Sequence, residues 1–452
     1  MTEQTLTARS DDSLPWQVAK LAVWPLLEQI LAFMVGFVDT AVAGHLSVAA
    51  TNAVGVAAYM NWFMGLMIAS LGVGFTALVS RSTGAGRVRR SNQILSMSLS
   101  ASLGWGICIG IVFYVLAPFI GALSGLNGES LELCTMFLRI VALAAPFNTI
   151  LSIASACLRG SGDTRSPFFV MVAVNIVNVA GTVLLSAEWS PIGGMGLRGV
   201  AIGTTIAWGI GCACILWTLY HRRSAPVIER RFLRPRWPLL KRILRVGIPN
   251  LLESLGQWSG NFMLVMLVGR LPNHNALGAH IVAIRIEAMS FLPGLALGIA
   301  AATLAGQYLG AGKPQMARKA VLWCWLFSTC VMTFLGVLFV SVPEVFVRMM
   351  TDKPEFLAIS PQLLFITGWV QIAFSSYMVF SGGLRGAGDT RSAMLLIFGT
   401  TFLVRLPLAW WIGIKMGYGL TGMWIGMCAE MVIRGILFSA RFLSGRWMDV
   451  KV

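Results

Sequence analysis

The chain has 452 residues, of which 57% are hydrophobic and only 12% charged, about half the charged fraction of an ordinary soluble domain. That composition excludes a water-soluble fold for most of its length. The net charge of +16 would suggest nucleic-acid binding in a soluble protein, but the distribution of the basic residues, set out below, excludes that reading.

A membrane helix needs about 20 mostly apolar residues, and twelve such stretches are present: 17–43, 53–80, 94–120, 133–158, 167–187, 193–220, 243–268, 277–309, 318–342, 358–384, 393–413 and 418–443. They fill most of the chain and leave no room for a separate soluble domain. The first sixteen residues are polar and include Asp11 and Asp12, unlike the basic start of a cleaved signal peptide, so the first helix is expected to remain as an anchor.

Helix one carries two acids, Glu28 and Asp39. Eleven residues at roughly 100° each return to within about 20° of the starting face, so the two share one stripe about 16 Å long. Helix five carries Asn175 and Asn178, with Thr182 on the face of Asn178. Residues 221–242 form a linker with eight Lys or Arg residues, read as a cytoplasmic surface beside anionic lipid. In helix seven Glu253, Gln257 and Asn261 recur every four residues and make a polar stripe beside Trp258. Helix eight holds Glu287, and Arg285, two residues away, does not face it. In helix twelve Glu430 has Arg434 one turn on, the spacing of an intrahelical ion pair.

A charge at the bilayer centre costs about 2.5–3.5 kcal/mol, so buried acids of this kind face a cavity or a partner. Taken together, these polar positions point to a polar cavity between helices. Its acids suit ion coupling: burial away from water favours neutralising each one, by a proton or by Na⁺, a cation that takes oxygen ligands. No metal site is fixed by the sequence; were Na⁺ the ion, it would lie near Asp39, Asn178 or Glu253. Most of the 23 methionines and the aromatic residues, Phe33, Met64 and Trp258 among them, are read as packing or lipid-facing.

The basic residues fix an orientation. With the amino terminus in the cytoplasm, 25 of the 34 fall in the tails and the even-numbered connections; five lie opposite (Arg198, Arg270, Arg348, Lys353, Lys415) and four within helices (Arg139, Arg285, Arg405, Arg434). The positive-inside rule then places both termini in the cytoplasm. Eight scattered cysteines read as small buried hydrophobes, with no disulfide framework or metal site. The stretch from Gly306 to Lys313 has the wrong glycine spacing for a phosphate loop and is followed by Pro314 where Ser or Thr is needed. With four scattered histidines and no nucleophile signature, the expectation is a protein that is not an enzyme and has no cofactor beyond H⁺ or Na⁺ as coupling ion.

The chain also repeats itself. Leu158-Arg159-Gly160-Ser161-Gly162-Asp163-Thr164-Arg165-Ser166 returns as Leu384-Arg385-Gly386-Ala387-Gly388-Asp389-Thr390-Arg391-Ser392, identical at eight of nine positions and offset by 226. Pro25 and Glu28 answer to Pro249 and Glu253, Gly44 to Gly269, and Gly84-Ala85-Gly86 to Gly310-Ala311-Gly312. The expected domains are an amino lobe over 1–220, the linker, and a carboxy lobe over 243–452. Six helices per copy make the repeats parallel, one of the recurring plans of secondary transporters. The repeated nonapeptides are expected to be cytoplasmic turns held by local Asp–Arg contacts.

These residues resemble the multidrug and toxic compound extrusion (MATE) family: Phe37-Val38-Asp39-Thr40 before Gly44, the duplicated nonapeptide, Asn175 with Asn178, Gly196-Leu197 with Gly199-Val200-Ala201, and Pro249 with Glu253. The resemblance covers nearly the whole chain. It implies an all-α integral membrane protein of twelve helices in a V of two six-helix lobes, exporting lipophilic organic cations, such as drugs or metabolites, in exchange for H⁺ or Na⁺. It assigns ion coupling to Asp39, Asn175, Asn178, Thr204 and Glu253, and leaves Glu28, Gln257, Asn261, Glu287 and Gln371 as candidates for the substrate cavity. Thr182 stands where some members have Asp, and Gln371 stands near where many have a helix-ten acid, which favours H⁺ coupling through Asp39. The expected setting is the bacterial inner membrane, as a monomer whose partners are the bilayer and a small organic substrate, with no nucleic acid. The alternative is a flippase for a lipid-linked intermediate, for which a more basic groove is expected.

Overall fold

The computed structural model describes residues 13–187, 190, 194–222, 226–234, 236–273 and 275–450; the side chains at 45 and 48 are not described. Asp11, Asp12 and Arg223 lie outside these residues. The described chain is helical: α1 (Leu14–Leu46), α2 (Val48–Gly84), α3 (Val88–Leu123), α4 (Gly128–Leu143), α5 (Ala145–Gly160), α6 (Arg165–Ser186) and α7 (Leu197–His221) are followed by α8 (Trp237–Gly269), α9 (Ala276–Gly310) and α10 (Pro314–Ser341). After them come α11 (Pro343–Arg348), α12 (Pro354–Leu357), α13 (Ser360–Gly368), α14 (Gln371–Ala387), α15 (Thr390–Thr400), α16 (Leu406–Trp410) and α17 (Gly419–Leu443).

Among the described residues, nine helical spans are long and apolar enough to cross a bilayer, and two more would be bent pairs. The predicted seventh crossing, α8, has 33 residues but carries the polar stripe of Glu253, Gln257 and Asn261. This is consistent with twelve crossings. Two predicted helices are broken. The fourth bends by 51° between α4 and α5, where Pro146 removes a backbone donor and crowds the preceding turn. The tenth bends by 62° between the α12–α13 segment and α14, at Trp369 and Val370. The eleventh runs as α15, a π-helical turn at Thr401–Arg405, α16 and a second π turn at Trp411–Lys415.

The chain divides into two compact units, one from Leu27 to Arg245 and one joining Ala8–Leu26 to Val246–Val452. The start of α1 belongs to the second because Val18, Leu21 and Ala22 pack into its core with Ala301, Leu304 and Tyr308. The Tyr308 hydroxyl also donates to Gln17 Oε1 at 2.7 Å.

The same devices recur inside each unit. Helices without a water-driven reason to associate are held by close packing at small residues. In the first unit Gly160 lies against the Thr76 backbone, and in the second Gly386 lies against Ala302 and Gly382 against Gly298. Gly86 and Gly312, then Gly162 and Gly388, all take positive φ between +68° and +99°. Only glycine adopts that conformation without a steric cost, so the repeated glycines mark repeated turns.

Candidate functional site

Asp39 is the centre of a polar cluster inside the first unit, and only 5% of it is exposed. Thr204 Oγ1 sits 2.9 and 2.8 Å from the two carboxylate oxygens. Asn178 Nδ2 donates to Asp39 Oδ1 at 3.3 Å and to Thr204 Oγ1 at 3.0 Å, and Thr182 Oγ1 lies 3.5 Å from Oδ1. The close approach of α6 and α7 makes this cluster. A Cβ on Gly203 would fall 2.6 Å from the Thr182 nitrogen, and one on Gly199 2.4 Å from the Leu185 backbone. Two bare glycine surfaces thus let the backbones touch and bring Asn178, Thr182 and Thr204 around one carboxylate.

No Lys, Arg or His among the described residues pairs with Asp39. The buried Asn178 Oδ1 has no hydrogen-bond partner. The cluster therefore offers a carboxylate, two hydroxyl oxygens and one unused amide oxygen. That set can hold either a proton on Asp39 or an oxygen-liking cation.

Glu28, Glu253 and Glu430 are answered by arginines, whereas Glu287 is met by the Thr367 hydroxyl. Glu28 accepts from Arg159 at 2.6 Å within the first unit, and Glu253 pairs with Arg385 within the second. These pairs are repeat partners, because Arg159 and Arg385 occupy the same position of the duplicated nonapeptide. The Asp of each nonapeptide is paired as well. Asp163 meets Arg222 at the end of α7, and Asp389 meets Arg441 near the end of α17 at 2.7 Å. The expectation of local Asp–Arg contacts is thus corrected: each turn is locked by an arginine from the last long helix of its unit. Asp163 also caps α6, accepting from the Ser166 amide at 3.1 Å and its hydroxyl at 2.8 Å.

In the second unit the remaining polar positions form a bonded network. Glu430 binds Arg434 at 2.6 Å, as its spacing predicts, and also Arg405 at 2.8 Å. Arg405 ends the π-helical turn and reaches Asn261 Oδ1 at 2.8 Å, while the Arg434 guanidinium lies over the Tyr377 ring. The Tyr377 hydroxyl lies 3.4 Å from Gln257 Oε1, and Glu287 accepts from Thr367 at 2.8 Å. Gln371, at the start of α14, donates to the Thr367 carbonyl at 3.0 Å beside the helix break. Asn175, in the first unit, donates to the Met171 carbonyl of its own helix at 3.0 Å.

Of the residues assigned to coupling, the structure joins Asp39, Asn178 and Thr204 and adds Thr182. Asn175 and Glu253 are engaged elsewhere. Trp258 stacks on Phe262, Met64 is buried and Phe33 is exposed. Sequence reasoning missed Arg159, Arg385 and Arg405 as partners. The signal for the first two was present, since Glu28 and Glu253 repeat at nearly the same offset as the arginines.

A sequence profile of the MatE family matches residues 26–184 and again 249–411. The chain belongs to the MatE family. The double match falls on the two copies inferred from the repeated nonapeptide. Among curated relatives, the chain is 28% identical over 435 residues to the probable multidrug resistance protein NorM of Thermotoga maritima, covering 95% of this chain and 92% of that one. It is 24% identical to the uncharacterized transporter YisQ of Bacillus subtilis, over 94% of each. Among solved structures, an outward-facing multidrug resistance MATE family transporter of the MOP superfamily superposes with a TM-score of 0.90 at 21% identity over the whole of both chains. A MOP superfamily transporter from Pyrococcus furiosus gives 0.89 at 22% identity over 99% and 98%. These likenesses establish the MATE fold and a multi-pass membrane protein of a transporter family.

Proposed function

We propose that this MATE protein is an antiporter that exports small, lipophilic organic cations in exchange for protons, with Asp39 as the residue that loads and releases the ion. One observation carries the reading: Asp39 is a buried carboxylate met only by neutral groups, whereas Glu28, Glu253 and Glu430 each have an arginine. A buried carboxylate without a counter-charge is costly, and a proton or cation removes that cost. Alternating exposure of such a site couples ion uptake to substrate release. Each charge moving inward supplies about 2.3 kcal/mol per 100 mV of membrane potential. Asn178, Thr182 and Thr204 orient the carboxylate by donating hydrogen bonds to it. The names of the relatives, multidrug resistance proteins among them, support the choice of substrate class. The distribution of basic residues supports both termini in the cytoplasm, the bacterial relatives support an inner-membrane setting, and a monomer is part of the same proposal.

The test is transport of a fluorescent lipophilic cation by purified protein in liposomes under an imposed pH gradient or an imposed Na⁺ gradient. Export should follow the pH gradient and be lost in Asp39→Asn, with the variant still monodisperse. Export driven by Na⁺ alone would replace the proton. Undiminished pH-driven export by Asp39→Asn would remove Asp39 from the coupling role. A protein that moves no cation under either gradient, but moves a lipid-linked substrate, is a flippase.

A further inference from the structure

Between α7 and α8, residues 226–234 form a strap bound along α3. Asn92, Ser96 and Ser100 lie at intervals of four on that helix and form one ladder of bonds to the strap backbone. The Val227 amide donates to Asn92 Oδ1 at 3.0 Å, the Glu229 amide to Ser96 Oγ at 2.9 Å, and Ser100 Oγ donates to the Leu233 carbonyl at 2.6 Å. Asn92 Nδ2 also donates to the Glu229 carboxylate at 2.8 Å. Buried Phe232 and Leu239 anchor the apolar side of the strap and the start of α8.

This geometry borders an open cavity of about 720 Å³ within the first unit. Arg87, Arg89 and Arg90 come from the α2–α3 turn and the start of α3, and Arg236 and Arg242 from the residue before α8 and the start of α8. No acid lines it. The nearest carboxylate, Glu229, is bonded to Asn92 and Arg231 and also attracts Arg89. Arg90 stands close enough to Arg87 and Arg242 to feel both charges.

The helices make the concentration of charge more costly. Arg87 is the N-cap of α3 and Arg236 directly precedes α8, so cations occupy the positive ends of two helices. Neither helix has an acid in its first turn or, for α3, a side-chain cap. Five arginines, placed at the starts of two helices and beside a hydrogen-bonded strap, form a receptor for a multiply charged oxyanion. The floor of Phe232, Leu239 and Val88 adds an apolar surface.

We propose that this cavity binds the phosphate group of an anionic ligand, either an anionic phospholipid headgroup or a soluble phosphate compound. It is a discrete site, distinct from a general attraction of the basic linker for the membrane. The floor suits a phospholipid, whose phosphate would meet the arginines while the glycerol and first methylenes rest on Phe232 and Leu239.

The experiment uses the full-length protein with a mixture of phosphatidylglycerol, cardiolipin and phosphatidylcholine, and native mass spectrometry counts the lipids retained per chain. Wild type should keep an anionic lipid in preference to phosphatidylcholine. Arg90→Gln with Arg242→Gln should lower that retention by about tenfold. Arg230→Gln with Arg234→Gln removes the same charge from the linker outside the cavity and should leave it unchanged. Asn92→Ala, which frees the strap and removes no positive charge, should weaken retention several-fold and serves if the double arginine variant fails to fold. A parallel arm adds pyrophosphate to protein in phosphatidylcholine nanodiscs. A rise in melting temperature seen in wild type and absent from Arg90→Gln with Arg242→Gln assigns the site to soluble phosphates as well; anionic lipid retention without that rise assigns it to headgroups. Equal loss from both arginine pairs, or no preference in either arm, overturns the proposal.

Discussion

Glu28 and Asp39 share a face of α1, yet their chemistry differs because of what the neighbouring helices present. Arg159, from the end of α5, gives Glu28 a fixed counter-charge, while α6 and α7 give Asp39 only hydroxyls and an amide. The first arrangement holds a charge in place and the second leaves it free to change. Asp163, in the turn after α5, is a third case outside the spans. Burial pushes its carboxyl up, but the Arg222 charge and the bonds from Ser166 outweigh this and hold it below the ordinary carboxylate value of 3.8. A carboxyl whose value is lower folded than unfolded stabilises the fold fully above the unfolded value and loses that contribution as pH falls through the folded one. The stability difference between wild type and Asp163→Asn should therefore be constant, at about 1–3 kcal/mol, from neutral pH down to about 5 and should shrink below about 4. Melting temperatures of both proteins across pH 3–8 measure it, and a gap that widens toward low pH would contradict the assignment.

At the scale of elements, close packing of α6 on α7 determines the site more directly than any polar residue. A methyl on Gly203 has no room against Thr182 and Gly181, whereas one on Gly209, on the same helix, meets nothing within 4 Å. Gly203→Ala should cost about 1–3 kcal/mol and reduce export strongly by moving Thr204 away from Asn178, while Gly209→Ala should alter neither. Thermal stability and transport of the two variants decide, and a silent Gly203→Ala would mean that the helices can separate without disturbing Asp39. These long helices were legible because apolar runs of membrane length have few alternative folds. The break at Pro146 had a visible cause, but a single proline inside a membrane helix often leaves it continuous, as Pro25 and Pro118 do here. The break at Trp369 and Val370 has no local mark of this kind. The strap was legible as basic and not as ordered, because its order comes from Asn92, Ser96 and Ser100, three unremarkable positions more than a hundred residues away.

For the whole molecule, duplication explains which features repeat and where the two copies part. Arg159 with Glu28 and Asp163 with Arg222 in the first unit answer to Arg385 with Glu253 and Asp389 with Arg441 in the second, so the nonapeptide supplies one member of two ion pairs in each copy. The position of Asp39 has no acidic counterpart; the aligned region near Leu264 is packed in an apolar cluster with Val268 and Ala283. Asp39 and Asn178 were visible as polar positions in apolar helices and Thr204 only through the family resemblance, but side-chain partners across helices are set by rotation about each helix axis, which spacing alone does not give. Glu253 therefore looked equivalent to Asp39 until its arginine was in view. The unequal copies lead to a test of the division of labour. Glu253→Gln with Arg385→Gln removes one negative and one positive charge together, so the second unit keeps its net charge and no lone buried ion is created. If coupling belongs to the first unit, this double variant keeps substrate-stimulated proton release, at a rate reduced no more than its stability explains, while Asp39→Asn shows none. Both are read on purified protein with a pH-sensitive dye, beside a melting curve for each variant. Loss of proton release from a stably folded double variant would place a second coupling carboxylate at Glu253, and the two copies would then share the work.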